Sequence, residues 1–534
     1  MQQIDCFFVG HNEMPIDKNR RMLQYLYGNS SHEYRDRRKY NLSQLITDNK
    51  RYTPVEFFNH VRQGETELSI ITESFNLAIA CLGNYLHQHD LSFDFINSFQ
   101  DDKELLKEKL INNEILSVGI ITTYYLSHHP IHEIISFIRK YNRKVKIIIG
   151  GPYVINKARS MPEEKLLDLF KTIKADFFVK DPSGEDILAE LIQSIKSGSS
   201  AKSIRNVYYR EGDSYKFSFE KAEHYSFANN QINWDLFAGR LAPVINLRTA
   251  VSCPYKCSFC NFPSYAGKYS LSPLEYAEKE LKLLHAQGIK YIQFVDDTFN
   301  VPLGRFQDLL RMMIRNEFGF KWNSYFKCAY ADEETVTLMK ESGCQFVFLG
   351  IESGSQVILD NMHKKNNVDI YRKCIALFNK YDIMTMCSII VGFPGETTET
   401  FQETFSFIEE TKPTFYQQRL WWYDHTAPVH NDRDKFQING DGYYWEHATM
   451  NSTTAHQLAD EMFLNIRNCI HITEYSLPFF LLGRGLSRDS LKEYLRNYMY
   501  INREQYLQPE TETSPRFIKT LIRSAVNEPE LAET

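Results

Sequence analysis

The sequence predicts an α/β protein built from two strand–helix alternations in series. The first is a doubly wound, Rossmann-like parallel sheet over residues 1–200. The second is an alternating run over 241–430, followed by a mainly helical region, 431–534. Three observations carry this. Short apolar runs of strand length alternate twice with stretches of helical periodicity, which implies parallel strands joined by crossover helices. A Ser/Gly-rich stretch at 194–203, Ser-Ile-Lys-Ser-Gly-Ser-Ser-Ala-Lys-Ser, separates the two runs as a linker by composition. A chain of 534 residues, 43% hydrophobic and 24% charged, is long enough for more than one buried core.

The first run opens on the apolar residues 4–9, and a polar stretch to about residue 66 reads as an insertion or lid. Helical periodicity over 75–89 and 103–112 and near 131–141 alternates with strand-like runs at 91–96, 116–122 and 145–149. Ligands of such sheets bind beyond the carboxyl ends of the strands. Three loops are therefore candidates: Thr122-Thr123-Tyr124-Tyr125, Gly150-Gly151-Pro152 and Asp181-Pro-Ser-Gly184-Glu185. Paired glycines let a backbone approach a bulky ligand closely, and they also simply end strands. Residues 201–240 read as a linker with a hairpin turning at Glu211-Gly212.

In the second run, strands are expected at 244–250, 291–295, 321–328, 346–350, 385–391 and 415–422. Helices are expected at 274–287, 303–316, 333–342, 370–381 and 398–410. Beyond 430, helices are expected at 454–469 and 490–500 in a capping domain, with a loose tail from Glu510. Just after the first strand stands Cys253-Pro-Tyr-Lys-Cys257-Ser-Phe-Cys260, which holds three of the ten cysteines. Three thiolates folded toward one point suit a soft metal centre. A zinc knuckle lacking its fourth ligand has similar local spacing.

At these residues the chain resembles the radical SAM enzymes. Cys253, Cys257 and Cys260 match that family's motif, and the flanking Arg-Thr-Ala-Val-Ser reads like its first barrel strand. The resemblance implies a partial (β/α)6 barrel with its chemistry at the carboxyl ends of the strands. It also implies that the three cysteines are the catalytic metal ligands of a [4Fe–4S] cluster. One iron stays open for S-adenosylmethionine (SAM), which an electron from a flavodoxin or ferredoxin cleaves to a 5′-deoxyadenosyl radical. On the same resemblance, Asp296 and Asp297 lie near the methionyl amino group. Glu352 or Ser353, in Gly350-Ile-Glu-Ser-Gly, reaches the ribose or methionyl group, and Gly392 to Glu396 form the adenine-binding segment. By residue chemistry alone, the Asp296-Asp297 pair suits a cation or acid–base work equally, and Asp297 or Thr298 suits a helix N-cap. The sixth strand ends in Arg419-Leu-Trp421-Trp422-Tyr423-Asp424-His425, an aromatic run suited to a substrate pocket. There Tyr423 or His425 would donate a proton and Arg419 would hold an anion, or the histidine is simply satisfied in packing.

The three loops of the first run resemble, in their order, the cobalamin-binding domain that precedes the barrel in one large radical SAM class. The last of them is Ala175-Asp-Phe-Phe-Val179…Gly184-Glu185. The Asp-x-His-x-x-Gly signature that gives cobalt a lower axial histidine in other cobalamin proteins is absent. The resemblance then implies that the 122–125 loop faces the lower side of the cobalt. Over residues 70–430 it implies a cobalamin-dependent radical SAM methyltransferase acting on an unactivated carbon or a phosphinate phosphorus of a small molecule or peptide. The alternatives are a non-methylating relative that forms or rearranges rings, and a non-catalytic corrinoid or metal sensor.

A net charge of −6 argues against broad nucleic-acid binding. The amino-terminal residues carry no basic leader pattern and no apolar run reaches membrane-spanning length, so a cytoplasmic location with no membrane partner is expected. The other seven cysteines (6, 81, 328, 344, 374, 387 and 469) are expected as buried free thiols.

Overall fold

The computed structural model describes residues 3–14, 16–39, 44–63, 74–222, 225–509 and 511–526. The chain divides into two compact units that interleave in sequence. The first takes 1–14, 74–246 and 264–288, and the second takes 15–73, 247–263 and 289–534. Residues 15–73, read from the sequence as an insertion into the first run, thus group with the second unit. Part of that stretch, 64–73, lies outside the described residues.

The first unit is a seven-stranded sheet of β1 (Gln3–His11), β2 (Phe93–Ser98), β3 (Glu114–Ile121), β4 (Lys146–Gly150), β5 (Phe177–Val179), β6 (Val207–Glu211) and β7 (Ser214–Phe217), in the order β7-β6-β5-β4-β3-β1-β2. Strands β1 to β5 are mutually parallel, and β6 and β7 add antiparallel. Buried Phe7, Val9, Val118, Ile120, Ile147 and Ile149 face crossover helices that bury Leu106, Ile131, Ile135 and Phe170. The hairpin expected within a linker is instead part of this sheet. Tyr208 and Tyr215 are buried in its core, and the Tyr215 hydroxyl donates to the Ala175 carbonyl at 2.5 Å. The Ser/Gly-rich stretch is also more ordered than its composition implies. Helix Glu185–Ser197 runs into it and stops at Gly198, whose φ of +70° ends a helix without side-chain strain.

Strand β8 (Val244–Leu247) carries the chain from one unit into the other. The second unit holds β9 (Tyr291–Phe294), β10 (Lys321–Tyr325), β11 (Cys344–Glu352), β12 (Met384–Val391), β13 (Phe415–Leu420) and β14 (Ile470–His471). These six pair in sequence order and all in parallel, as an open sheet. Each expected strand is present. The region expected as a helical cap contributes one more unit: helix Ser452–Asn465 crosses over from β13 and returns as β14, too short a strand to leave a pattern. The tail expected to be loose is helical over Pro515–Ala525, where Leu521, Ser524 and Ala525 are buried at i, i+3, i+4 spacing. Residue 510 and those beyond 526 lie outside the described residues. All ten cysteines are free, and the seven outside the motif are buried. Among the described residues no helix is long and apolar enough to cross a membrane.

Candidate active site

The cysteine loop begins where Ser252 turns into a left-handed conformation, φ 67°. Ser258 pins its middle. The Ser258 N–H donates to the Met362 carbonyl at 2.9 Å, its hydroxyl donates to Asn361 O at 2.8 Å, and its own carbonyl accepts the Val429 N–H at 2.8 Å. The Cys260 N–H closes a turn on Cys257 O at 3.1 Å. Asn261 then ties the end of the loop to the turn beyond β13, donating to the Asp424 carboxylate and to Thr426 Oγ1 at 2.8 Å. That carboxylate in turn accepts the Thr426 N–H and hydroxyl, both at 2.7 Å. Sequence reading missed Ser258, Asn261 and Thr426 as supports, because partners over 100 residues away leave no local signal.

The thiols of Cys253, Cys257 and Cys260 are half-buried. Burial pushes the Cys253 and Cys260 thiols up, Cys260 to about 11, and the neighbouring thiolates of the loop push the same way. Among the described residues no group of three or more His, Cys, Asp or Glu surrounds a single metal ion. Three half-buried thiols on one loop are a donor set that a four-iron cluster, which takes its cysteines on separate irons, would accept.

Two lysines cover the aromatic residues of this loop. Lys327 Nζ stands 3.8 Å from the Tyr255 ring centre, and Lys364 Nζ stands 5.8 Å from that of Phe259. Burial lowers the Lys327 ammonium. Burial, the largest single influence, would lower Lys364 too, but the Glu352 carboxylate at 3.4 Å together with Tyr371, Cys257 and Cys328 raises that group. Both side chains thus lie beside the cysteine loop.

The residues expected around SAM sit at strand ends, but most of their polar atoms are engaged within the protein. Asp296, at the end of β9, is buried and accepts the Thr249 N–H at 2.6 Å, the Thr249 hydroxyl at 2.5 Å and the Ala250 N–H at 3.0 Å. It staples β9 to the strand before the cysteine loop. Asp297 beside it is exposed. Its carboxyl is pushed up to about 7, first by desolvation and then by the Asp296 carboxylate. The Ser353 hydroxyl meets Thr404 Oγ1 at 3.0 Å and accepts the Ser355 N–H at 3.1 Å. At Gly392, φ +89°, a Cβ would stand 2.5 Å from the Trp445 ring, so packing rather than a ligand fills that space. Glu396 turns its carboxyl back onto the Gly392 N–H. Of the five carboxyl and hydroxyl groups expected to reach SAM, Asp297 is the one left open.

Burial pushes Glu396 up to about 8. A carboxyl that stays protonated in the folded state and ionises near 4.5 when unfolded loses stability as pH rises between those values. Folding stability is therefore expected to fall from pH ~4.5 to ~8 by a component that Glu396→Gln removes. Denaturant midpoints of the two proteins across that range measure it.

Tyr423 and His425 lie together, with a third residue the sequence did not suggest. The Tyr423 hydroxyl meets His430 Nδ1 at 2.7 Å, and the His430 ring stacks on His425 with centroids 4.9 Å apart. His425, exposed, contacts the Gly440 carbonyl through Nε2 at 3.1 Å. Arg419 Nε donates to Gln417 Oε1 at 3.3 Å, and its guanidinium lies 3.9 Å from Asp36. Burial raises the Glu474 carboxyl, and Arg419 pulls it back.

In the first unit, the expected loops do end parallel strands. The Thr122 hydroxyl donates to Gly150 O at 2.6 Å, locking the ends of β3 and β4 together. Gly151 has φ +101°, and a Cβ there would approach Thr122 Oγ1 to 3.0 Å. At Gly150 a Cβ would meet nothing nearer than Val179 at 3.6 Å, an ordinary contact. Thr123 and Tyr124 are exposed, Tyr124 by 51%. Pro152 opens the helix Pro152–Ser160, and Gly184 and buried Glu185 begin the helix Glu185–Ser197. The parallel order β2-β1-β3-β4-β5 has its topological switch between β1 and β3, where ligands of this class of sheet bind. The end of β1 lies beside that switch. The Asn12 N–H donates to the Tyr125 hydroxyl at 2.7 Å, joining the two loops across the switch. The sequence signal was Gly-His-Asn directly after the first apolar run.

A parallel sheet with a three-cysteine loop beyond its first strand, in one chain with a switch-point sheet, is the arrangement that the resemblance to the radical SAM enzymes implies. Residues 247–408 match the Radical SAM superfamily. An uncharacterized methyltransferase of Pyrococcus horikoshii, PH0819, is 24% identical over 344 residues, 61% of this chain and 72% of that protein. Several further curated relatives are matched over half their length or less. Two solved structures share the fold. OxsB, a cobalamin-dependent SAM radical enzyme, aligns over 99% of this chain and 75% of its own with TM-score 0.60 and 14% identity. TsrM, a radical SAM methyltransferase of Kitasatospora setae, aligns over 66% and 71% with TM-score 0.54 and 20% identity.

Proposed function

We propose that this protein transfers the methyl group of SAM, by way of cobalamin, to an unactivated carbon or phosphinate phosphorus of a small molecule or peptide. The observation that carries the reading is the pairing, within one chain, of the Cys253–Cys257–Cys260 loop with an open switch point between β1 and β3. The methyltransferase name of the Pyrococcus horikoshii relative and the cobalamin in the OxsB and TsrM structures support it. When bound, the cluster with SAM supplies a radical initiator, and the corrinoid supplies a methyl carrier. The chain's own residues position and insulate. The three cysteines hold the cluster, and Lys327 and Lys364 balance its charge. Asp297 meets the amino group of SAM, and Gly150, Gly151 and Tyr124 offer a flat seat to the corrin. The Tyr423–His430 hydrogen bond holds a proton beside exposed His425, and Arg419 takes an anionic substrate group. The electron comes from a flavodoxin or ferredoxin in a reducing cytoplasm.

The reading is tested by incubating the reconstituted, anaerobically reduced protein with cobalamin and SAM deuterated in its methyl group. Label is expected in the corrinoid fraction, and in product once a substrate is found. Label confined to SAM and methionine overturns it.

A further inference from the structure

His11 ends β1 at the switch point, is 8% exposed, and sits against the candidate corrinoid loop. Its ring centre lies 5.3 Å from that of Tyr124, edge-on, and 5.5 Å from that of Tyr125. Those two aromatic contacts are its side-chain interactions among the described residues, and neither ring nitrogen has a hydrogen-bonding partner there. Neighbouring polar groups do find theirs. Asn12 donates to Pro130 O at 2.9 Å and accepts from Gln100 at 2.5 Å, and Thr122 donates to Gly150. Neither ring nitrogen is sealed from the surface, because neither is among the buried polar atoms left without a partner. The side chain is thus enclosed by protein while its nitrogens keep an outlet at the place where this type of sheet takes its ligand.

We propose that His11 supplies a ring nitrogen to the lower face of cobalt when a corrinoid occupies the β1–β3 switch point. This rests on the reading above, and it changes one expectation: the absence of Asp-x-His-x-x-Gly implied a cobalt without histidine, faced by the 122–125 loop. In the structure the two are neighbours, with Tyr124 and Tyr125 flanking the imidazole and fixing its orientation. The chemistry suits the role. A ligating imidazole must be neutral, and burial holds His11 down to about 4, so its lone pair is free throughout the physiological range. The bond is a dative one from nitrogen to cobalt, with no change in oxidation state or proton count.

The test is electron paramagnetic resonance of the full-length protein, loaded with hydroxocobalamin and reduced to the cobalt(II) state. The protein is prepared once with natural-abundance histidine and once with histidine labelled with nitrogen-15. A single axial nitrogen-14 splits each cobalt line into three, and nitrogen-15 splits it into two. The expected result is a three-to-two change on labelling, lost in His11→Ala and in His11→Phe, the second of which keeps an aromatic ring between the two tyrosines. Three lines that do not respond to the label assign the nitrogen to the corrinoid's own base and overturn the proposal. Lines without nitrogen splitting overturn it as well. In both of those cases the corrinoid is bound, so the functional reading stands. Failure of the protein to retain any corrinoid overturns the proposal and that reading together.

Discussion

Cys257→Ala is expected to abolish release of 5′-deoxyadenosine from SAM under anaerobic reduction and to remove the visible charge-transfer absorbance of the reconstituted protein. Cys257 is the central thiol of the loop, and the turn that follows it is closed by the Cys260 N–H. Two remaining thiolates cannot hold three corners of a cubane, so iron and sulfide content should fall with activity. Folding should survive, because Ser258 and Asn261 hold the loop through backbone and side-chain hydrogen bonds that do not involve the thiol. Asp424→Ala makes the useful contrast. It removes the acceptor for Asn261 and Thr426 but no metal ligand, so cluster content should persist while the loop loosens. Full cleavage activity with Cys257→Ala would refute the ligand assignment, and circular dichroism alongside iron analysis separates loss of cluster from loss of fold.

What the sequence revealed, and what it hid, follows from the range of the interactions involved. Strands β8 to β13 were readable because parallel strands buried on both faces leave apolar runs, and their crossover helices leave helical periodicity. The cysteine loop was readable because its three ligands lie within eight residues. Strand β14 was not, since two residues carry no period, and the Pro515–Ala525 helix hid in a charged stretch whose buried side is only Leu521, Ser524 and Ala525. The grouping of 15–73 with the second unit was beyond local reading. Lys39, fully buried, pairs with Asp460 at 2.5 Å, and Thr513 donates its N–H to Ile46 O at 2.7 Å, both across more than 400 residues. The site residues divide the same way. Position at strand ends was legible, but whether a carboxylate faces a ligand or staples the backbone depends on partners such as Thr249 for Asp296 and Lys364 for Glu352.

That last pair supports the other large effect expected. Glu352→Ala should destabilise the protein by about 3–5 kcal/mol, because it leaves the Lys364 ammonium buried without its counter-charge. Both side chains are 11% exposed, and their contact at 3.4 Å lies against Gly350. A Cβ on Gly350 would approach Glu352 Oε1 to 2.6 Å and Lys364 Nζ to 3.3 Å, so the glycine leaves the space that the ion pair fills. The β11–β12 register shifts between Gly350 and Glu352, and Glu352 itself has φ +67°, so the backbone is bent to bring the carboxylate to the lysine. Glu352→Gly would ease the left-handed conformation by about 1 kcal/mol and should recover a corresponding part of the loss. The double substitution Glu352→Gln with Lys364→Met removes both charges and should be less destabilised than Glu352→Ala, the outcome that distinguishes an uncompensated charge from a lost contact. Denaturant unfolding of the three variants and the wild type measures these differences, and equal losses in Glu352→Ala and the double variant would refute the electrostatic account.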